Sequence, residues 1–125
     1  MRILLVEDDP GIRQGIADFL AFEGYGVDVA SNGEEALAYL RRAQPGLLVL
    51  DLVMPVMNGP QLLTRLRLEG LAAGVPVAIM TAAMPGASAL PAADAYLTKP
   101  FDLDELLGVV KRHVGPPSGT KASSD

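Results

Sequence analysis

A chain of 125 residues that is half apolar and one fifth charged has enough material for one hydrophobic core and too little for two. Its net charge of −5, with Arg41-Arg42 and Lys111-Arg112 as the only adjacent basic pairs, argues against direct nucleic-acid binding through a basic face. Without cysteine there is neither a disulfide framework nor a thiolate metal site. The N-terminal apolar run is broken by Glu7-Asp8-Asp9 well before signal-peptide length, and no stretch reaches membrane length, so the chain reads as cytoplasmic.

Short apolar runs alternate with segments of helical period, the pattern of βαβ units and a parallel sheet. The first run, Ile3 to Val6, ends in Glu7-Asp8. Asp9-Pro10 then caps a helix predicted to bury Ile12, Ile16, Phe19 and Leu20 on one face, with Gly24 and Gly26 as its stop. Val27 to Ala30 forms a second strand. Ser31-Asn32-Gly33-Glu34-Glu35 holds two overlapping capping boxes, Ser31 with Glu34 and Asn32 with Glu35, ahead of a helix carrying Ala36, Leu37 and Leu40 to about Arg42. A third strand, Leu47 to Leu50, runs into Asp51. Pro60 opens a third helix with Leu62, Leu63 and Leu66, which ends near Gly70. Val77 to Met80 is a fourth strand followed by Thr81, and Ala95 to Leu97 a fifth followed by Lys99-Pro100. Asp102 with Glu105 caps a last helix whose apolar stripe is Leu103, Leu106, Leu107, Val110 and Val114.

Residues 82–98 must hold a fourth helix as well as the fifth strand, yet they include Pro85, Gly86 and Pro91. A proline inside a helix costs roughly 3 kcal/mol, so one or two helical turns at most are predicted there. Beyond Val114, Gly115-Pro116-Pro117-Ser118-Gly119 and the small polar residues to Asp125 lack apolar periodicity. The organisation is therefore one domain over 1–114 and a flexible tail or linker stump over 115–125.

The strand ends carry the chemistry. In a parallel sheet the carboxyl ends of the strands lie along one edge, so Glu7-Asp8, Asp51, Thr81 and Lys99 are predicted to share a pocket. Clustered carboxylates repel one another unless a cation sits among them. An all-oxygen ligand set of Glu7, Asp8 and Asp51 fits Mg²⁺, with Mn²⁺ as the alternative, rather than zinc, and a backbone carbonyl just past Asp51 could add a further ligand. A metal there would neutralise charge on an incoming phosphoryl group and let Asp51 act as a nucleophile toward phosphorus. The Thr81 hydroxyl and Lys99 ammonium are the right donors for the extra oxygens of an aspartyl phosphate.

Over residues 2 to 114 the sequence resembles the receiver domain of two-component response regulators. The resemblance rests on Val6-Glu7-Asp8, on Asp51 followed by Met54-Pro55 and Gly59, on Thr81-Ala82, and on Lys99-Pro100-Phe101. It implies a flavodoxin-like, doubly wound five-stranded parallel sheet of order 2-1-3-4-5. It also implies that Asp51 accepts a phosphoryl group from a histidine kinase or a phosphotransfer protein of a phosphorelay. Asp8 would hold Mg²⁺ directly, Glu7 through water, and the Val53 carbonyl would be the backbone ligand. Thr81 and Lys99 would contact the phosphoryl group, Tyr96 would be the aromatic that changes rotamer with Thr81, and the Lys99-Pro100 peptide would be cis. The 81-to-99 span is shorter than is usual in the family, and the missing length falls on the fourth helix. The family's usual dimerisation face, of which that helix is part, is thus not carried over.

Each residue also has a plainer reading. Asp51, Thr81 and Lys99 taken singly are ordinary strand-end residues, Asp9 is a helix cap, and Tyr96 could simply pack. His113 suits the negative end of its helix. Met54, Met57, Met80 and Met84 read as packing. An Asp-nucleophile phosphatase is disfavoured because Val53 stands where its second acid would be, and a nucleotide binder because no glycine-rich phosphate loop follows the first strand. The reading is a non-enzymatic signalling switch, limited to self-phosphotransfer and autodephosphorylation, that signals to a protein partner. The alternative is a receiver-like docking module that is never phosphorylated. The apolar pair Val53 and Ala83, at the +2 positions from Asp51 and Thr81, offers nothing to position an attacking water, so hydrolysis would rely on metal and solvent.

Overall fold

Continuous apolar runs, rather than alternating ones, build strands that are buried on both faces, and the runs ending at Val6, Leu50 and Met80 fold that way, while 27–30 and 95–97, at the two edges of the sheet, are only partly buried. The computed structural model describes residues 2–54, 56–82 and 92–117. Within them the order is β1 (Arg2–Val6), α1 (Pro10–Phe22), β2 (Gly26–Ala30), α2 (Gly33–Leu40), β3 (Leu47–Asp51), α3 (Gly59–Glu69), β4 (Val77–Thr81), β5 (Ala95–Thr98) and α4 (Leu103–Val114). All five strands are parallel in the order β2-β1-β3-β4-β5, as the resemblance implied.

Side chains alternate across the sheet, so the two faces take different residues of the same strand. Ile3, Leu5, Leu47, Val49 and Met80 pack with Ile16 and Leu20 of α1 and Leu106, Val109 and Val110 of α4. Leu4, Val6, Leu48 and Leu50 face the other way, against Ala36, Leu37 and Leu40 of α2 and Leu62 and Leu66 of α3. Helices therefore cover both faces. The predicted short fourth helix, with Ala83 and Met84, falls at 83–91, outside the described residues, as do 118–125 of the tail.

Several local expectations change. Ile12, predicted on the buried face of α1, is 41% exposed, because it lines an open hollow with Ile16, Phe101 and Leu103. Leu103, the first residue of α4, is exposed on the same hollow, while Val109, outside the predicted stripe, is buried. Of the two boxes at α2, the structure uses Asn32, whose side chain accepts from the Glu35 amide at 2.9 Å; Glu35 in turn accepts from the Ser31 amide at 2.7 Å. α2 ends at Leu40, not Arg42, and Arg41 caps it. Met54 and Met80 are buried, and Met57 packs against the second face, as predicted.

Candidate functional site

Register decides which strand ends meet. Val6 pairs with Leu50 and Asp51 with Met80, so the residue after β1 comes alongside the last residue of β3. Thr81 pairs with Thr98, and the Lys99 amide donates to the Thr81 carbonyl at 2.6 Å, which carries Lys99 to the same edge. The chain reverses direction across the sheet between β1 and β3, and the acids sit at that switch point.

The β3–α3 loop that follows Asp51 is clamped by two close backbone approaches. The Gly59 amide donates to the Leu52 carbonyl and the Gly33 amide to the Met57 carbonyl, each at 2.9 Å. A Cβ at Gly59 would lie 2.9 Å from the Leu52 Cα, and one at Gly33 would lie 2.5 Å from the Met57 carbonyl oxygen, so neither position has room for a side chain. Asn58 and Gln61 then lock the start of α3 with a reciprocal capping box.

Oxygen atoms of Glu7, Asp8 and Asp51 all lie within 4.8 Å of one another. Glu7 is 1% and Asp51 6% exposed, so both carboxylates have lost most of their water. Lys99 answers part of that charge: Nζ is 2.9 Å from Glu7 Oε1 and 3.3 Å from Asp51 Oδ2. The other Glu7 oxygen accepts from the Asp9 amide at 3.1 Å. Burial pushes the Glu7 carboxyl up from its ordinary value and the Asp51 charge adds to that, against the pull of the Lys99 and Asp9 bonds. Burial alone would lower the Lys99 ammonium, but its bond to Glu7 and the nearby charge of Asp51 win, and its pKa is raised. Burial thus dominates at Glu7 and the neighbouring carboxylates win at Lys99. Three carboxylates against one ammonium make a donor set that fits a hard divalent cation.

The other predicted residues fall as follows. Thr81 ends β4 and is 8% exposed. Val53 is 80% exposed, and its amide makes a long contact of 3.4 Å to Asp51 Oδ1. Tyr96 lies on the edge strand, 39% exposed, its hydroxyl accepting from the Ala93 amide at 3.0 Å. Lys99-Pro100 is cis. Arg13 was not singled out by sequence, yet its guanidinium reaches the Glu7 carbonyl at 3.0 Å. His113 sits in the last turn of α4 with Lys111 and Arg112, outside the acidic cluster.

The model of the response regulator receiver domain matches residues 3–111 of the sequence. The chain belongs to the response regulator receiver family. Receivers are signalling modules rather than conventional enzymes. The response regulator Rre1 of Synechocystis is 38% identical over 98% of this chain and 54% of its own length. The receiver of the sensor histidine kinase PA1611 of Pseudomonas aeruginosa, solved with a magnesium ion coordinated in its active site cleft, superposes with a TM-score of 0.83 at 29% identity, covering 91% of this chain and 97% of that one. The response regulator TrrA of Thermotoga maritima, solved in complex with Mg²⁺ and BeF, gives 0.79 at 37% identity over 89% of this chain and 96% of its own. This chain spans about half the length of the curated relatives it matches. Among the described residues no helix is long and apolar enough to cross a membrane.

Proposed function

We propose that Asp51 is the phosphoacceptor of a two-component or phosphorelay pathway. The observation that carries this is the convergence of Asp51, Glu7, Asp8 and Lys99 on one desolvated pocket. A carboxylate oxygen of Asp51 attacks the phosphorus of a phosphohistidine on a histidine kinase or phosphotransfer protein. The new bond is O–P, the bond broken is N–P, and the departing imidazole nitrogen takes a proton from solvent.

Glu7, Asp8, Asp51 and the Val53 carbonyl would hold Mg²⁺, with Mn²⁺ as a substitute of the same ligand preference. When bound, the ion supplies positive charge opposite the phosphoryl oxygens. Lys99 pairs with Asp51 before transfer and is near enough to turn to a phosphoryl oxygen afterwards. The Thr81 hydroxyl supplies a further donor from β4. Thr81 and Tyr96 are the moving pair by which the state of Asp51 reaches the surface of β5 and a downstream protein partner. Exposed Val53 offers no polar group to an attacking water, so loss of the phosphoryl group depends on metal and solvent. A Val53→Asn variant that leaves the decay rate unchanged would count against this. The receiver occupies 1–114, with 115–125 as tail or linker, and works in the cytoplasm without touching nucleic acid or membrane. Homodimerisation, if it occurs, need not use the family's usual face.

Intact mass after incubation with a small phosphodonor and Mg²⁺ tests the reading. We expect a gain of one phosphoryl group on the wild-type chain and none on Asp51→Ala. No gain with either metal would instead favour a docking module that is never phosphorylated.

A further inference from the structure

Arg13 is the fourth residue of α1, and its side chain turns back toward the start of its own helix. A helix N-terminus carries partial positive charge, so a cation beside the first turn is disfavoured. Something at that end must hold it. The hydrogen-bond partners are main-chain oxygens, Nη1 lying 3.0 Å from the carbonyl of Glu7 and, more loosely, 3.4 Å from that of Asp8, and the Glu35 carboxylate is an opposite charge nearby.

Those two carbonyls belong to the residues that send carboxylates into the acidic cluster. On the amide side the segment is already tied, since the Glu7 amide donates to the Ala30 carbonyl and the Asp9 amide to the Glu7 side chain, both at 3.1 Å. The helix fixes Arg13 in turn: Asp9 caps α1 through the Ile12 amide at 3.0 Å, and the Arg13 amide donates to the Asp9 carbonyl at 2.8 Å. Cap, helix turn and guanidinium close a short loop around Glu7 and Asp8.

We propose that Arg13 is a positioning residue for the divalent cation: by holding the Glu7 and Asp8 carbonyls it sets the direction in which both carboxylates enter the site. The proposal rests on the reading of that cluster as a Mg²⁺ site. Arg13 differs in kind from Lys99, which bonds the carboxylate oxygens themselves and so competes with a cation for them. Arg13 leaves those oxygens free.

The sign of one measurement separates this role from a bulk electrostatic one. Removing a positive charge near a cation site strengthens cation binding if charge is all that matters, and weakens it if orientation is lost. Mg²⁺ titration calorimetry would be run on the wild type, Arg13→Met and Arg13→Lys, with melting in EDTA to show that each folds. Arg13→Gln would replace the Met variant should that one not fold. We expect Arg13→Met to bind Mg²⁺ on the order of 10-fold more weakly, as loss of a group that orients metal ligands does. Both contacts leave a single nitrogen, so the Lys ammonium should recover most of the loss. A Met variant that binds as tightly as wild type or tighter overturns the proposal, and so does a Lys variant no better than Met. A wild-type chain that takes up no Mg²⁺ overturns the phosphoacceptor reading together with this one.

Discussion

Tyr25 donates its hydroxyl hydrogen to the Gly115 carbonyl, 2.8 Å away, and so ties the start of β2 to the end of α4. Its ring is in the core, and burial, helped by the charge of Glu23, raises its phenol above the ordinary value. A buried phenol keeps its proton and remains a donor at neutral pH. Tyr25→Phe should cost about 1 kcal/mol, the usual net value of one such bond, and free the Gly115 end of α4. A lower melting temperature with unchanged Mg²⁺ uptake is the expected result. Glu7 is the opposite case, a carboxylate as buried as any leucine of the core, tolerated because Lys99 and the Asp9 amide bond both of its oxygens. Gly115 and Lys99, the partners that tie these two residues to the rest of the fold, lie 90 and 92 positions away along the chain.

At the scale of elements, the β3–α3 loop is held by the close backbone approaches at Gly33 and Gly59. Gly59→Ala would push a methyl group against the backbone of Asp51 and Leu52, which cannot give as a flexible side chain would. We expect a loss of roughly 1–3 kcal/mol in denaturant unfolding, together with weaker Mg²⁺ binding. α2 and α3 are joined on the far side of the sheet by Glu69, which bonds Arg41 at 2.9 and 2.7 Å and Arg65 at 2.7 Å. Those bonds hold the Glu69 carboxyl down from 4.5 to about 2. A depressed acid stabilises the fold above its unfolded pKa and stops doing so as pH falls through its folded one. The stability difference between wild type and Glu69→Gln should therefore be constant above about pH 4.5 and vanish as pH falls toward 2. A difference that persists at pH 2 would assign it to packing instead.

For the whole molecule, Mg²⁺ should act as a stabiliser, because the acids that would bind it follow β1 and end β3 and are together only in the folded chain. Binding to the native state alone adds about 2.7 kcal/mol at a concentration 100 times the dissociation constant. Melting with and without Mg²⁺ should show that gain in the wild type and much less of it in Asp51→Ala. Gel filtration with and without phosphodonor reports whether the phosphorylated chain changes its oligomeric state.

By itself the sequence determined where the described strands and helices lie, because apolar runs, caps and prolines act within a few residues: the five strands fall within a residue or so of their predicted places. It also determined which reactive groups end those strands, since Glu7-Asp8, Asp51, Thr81 and Lys99 stand at the boundaries of apolar runs that any reading would mark. The tertiary structure alone decided how they pair. Lys99 sits closer to Glu7 than to Asp51, contacts that span 92 and 48 positions along the chain. Arg13 folds back on carbonyls rather than out to water, and Ile12 faces a hollow while Val109 is buried. These outcomes depend on the rotamers of long side chains and on which helix covers which patch of sheet. Such choices are made by packing between segments distant in sequence, and local propensity does not record them.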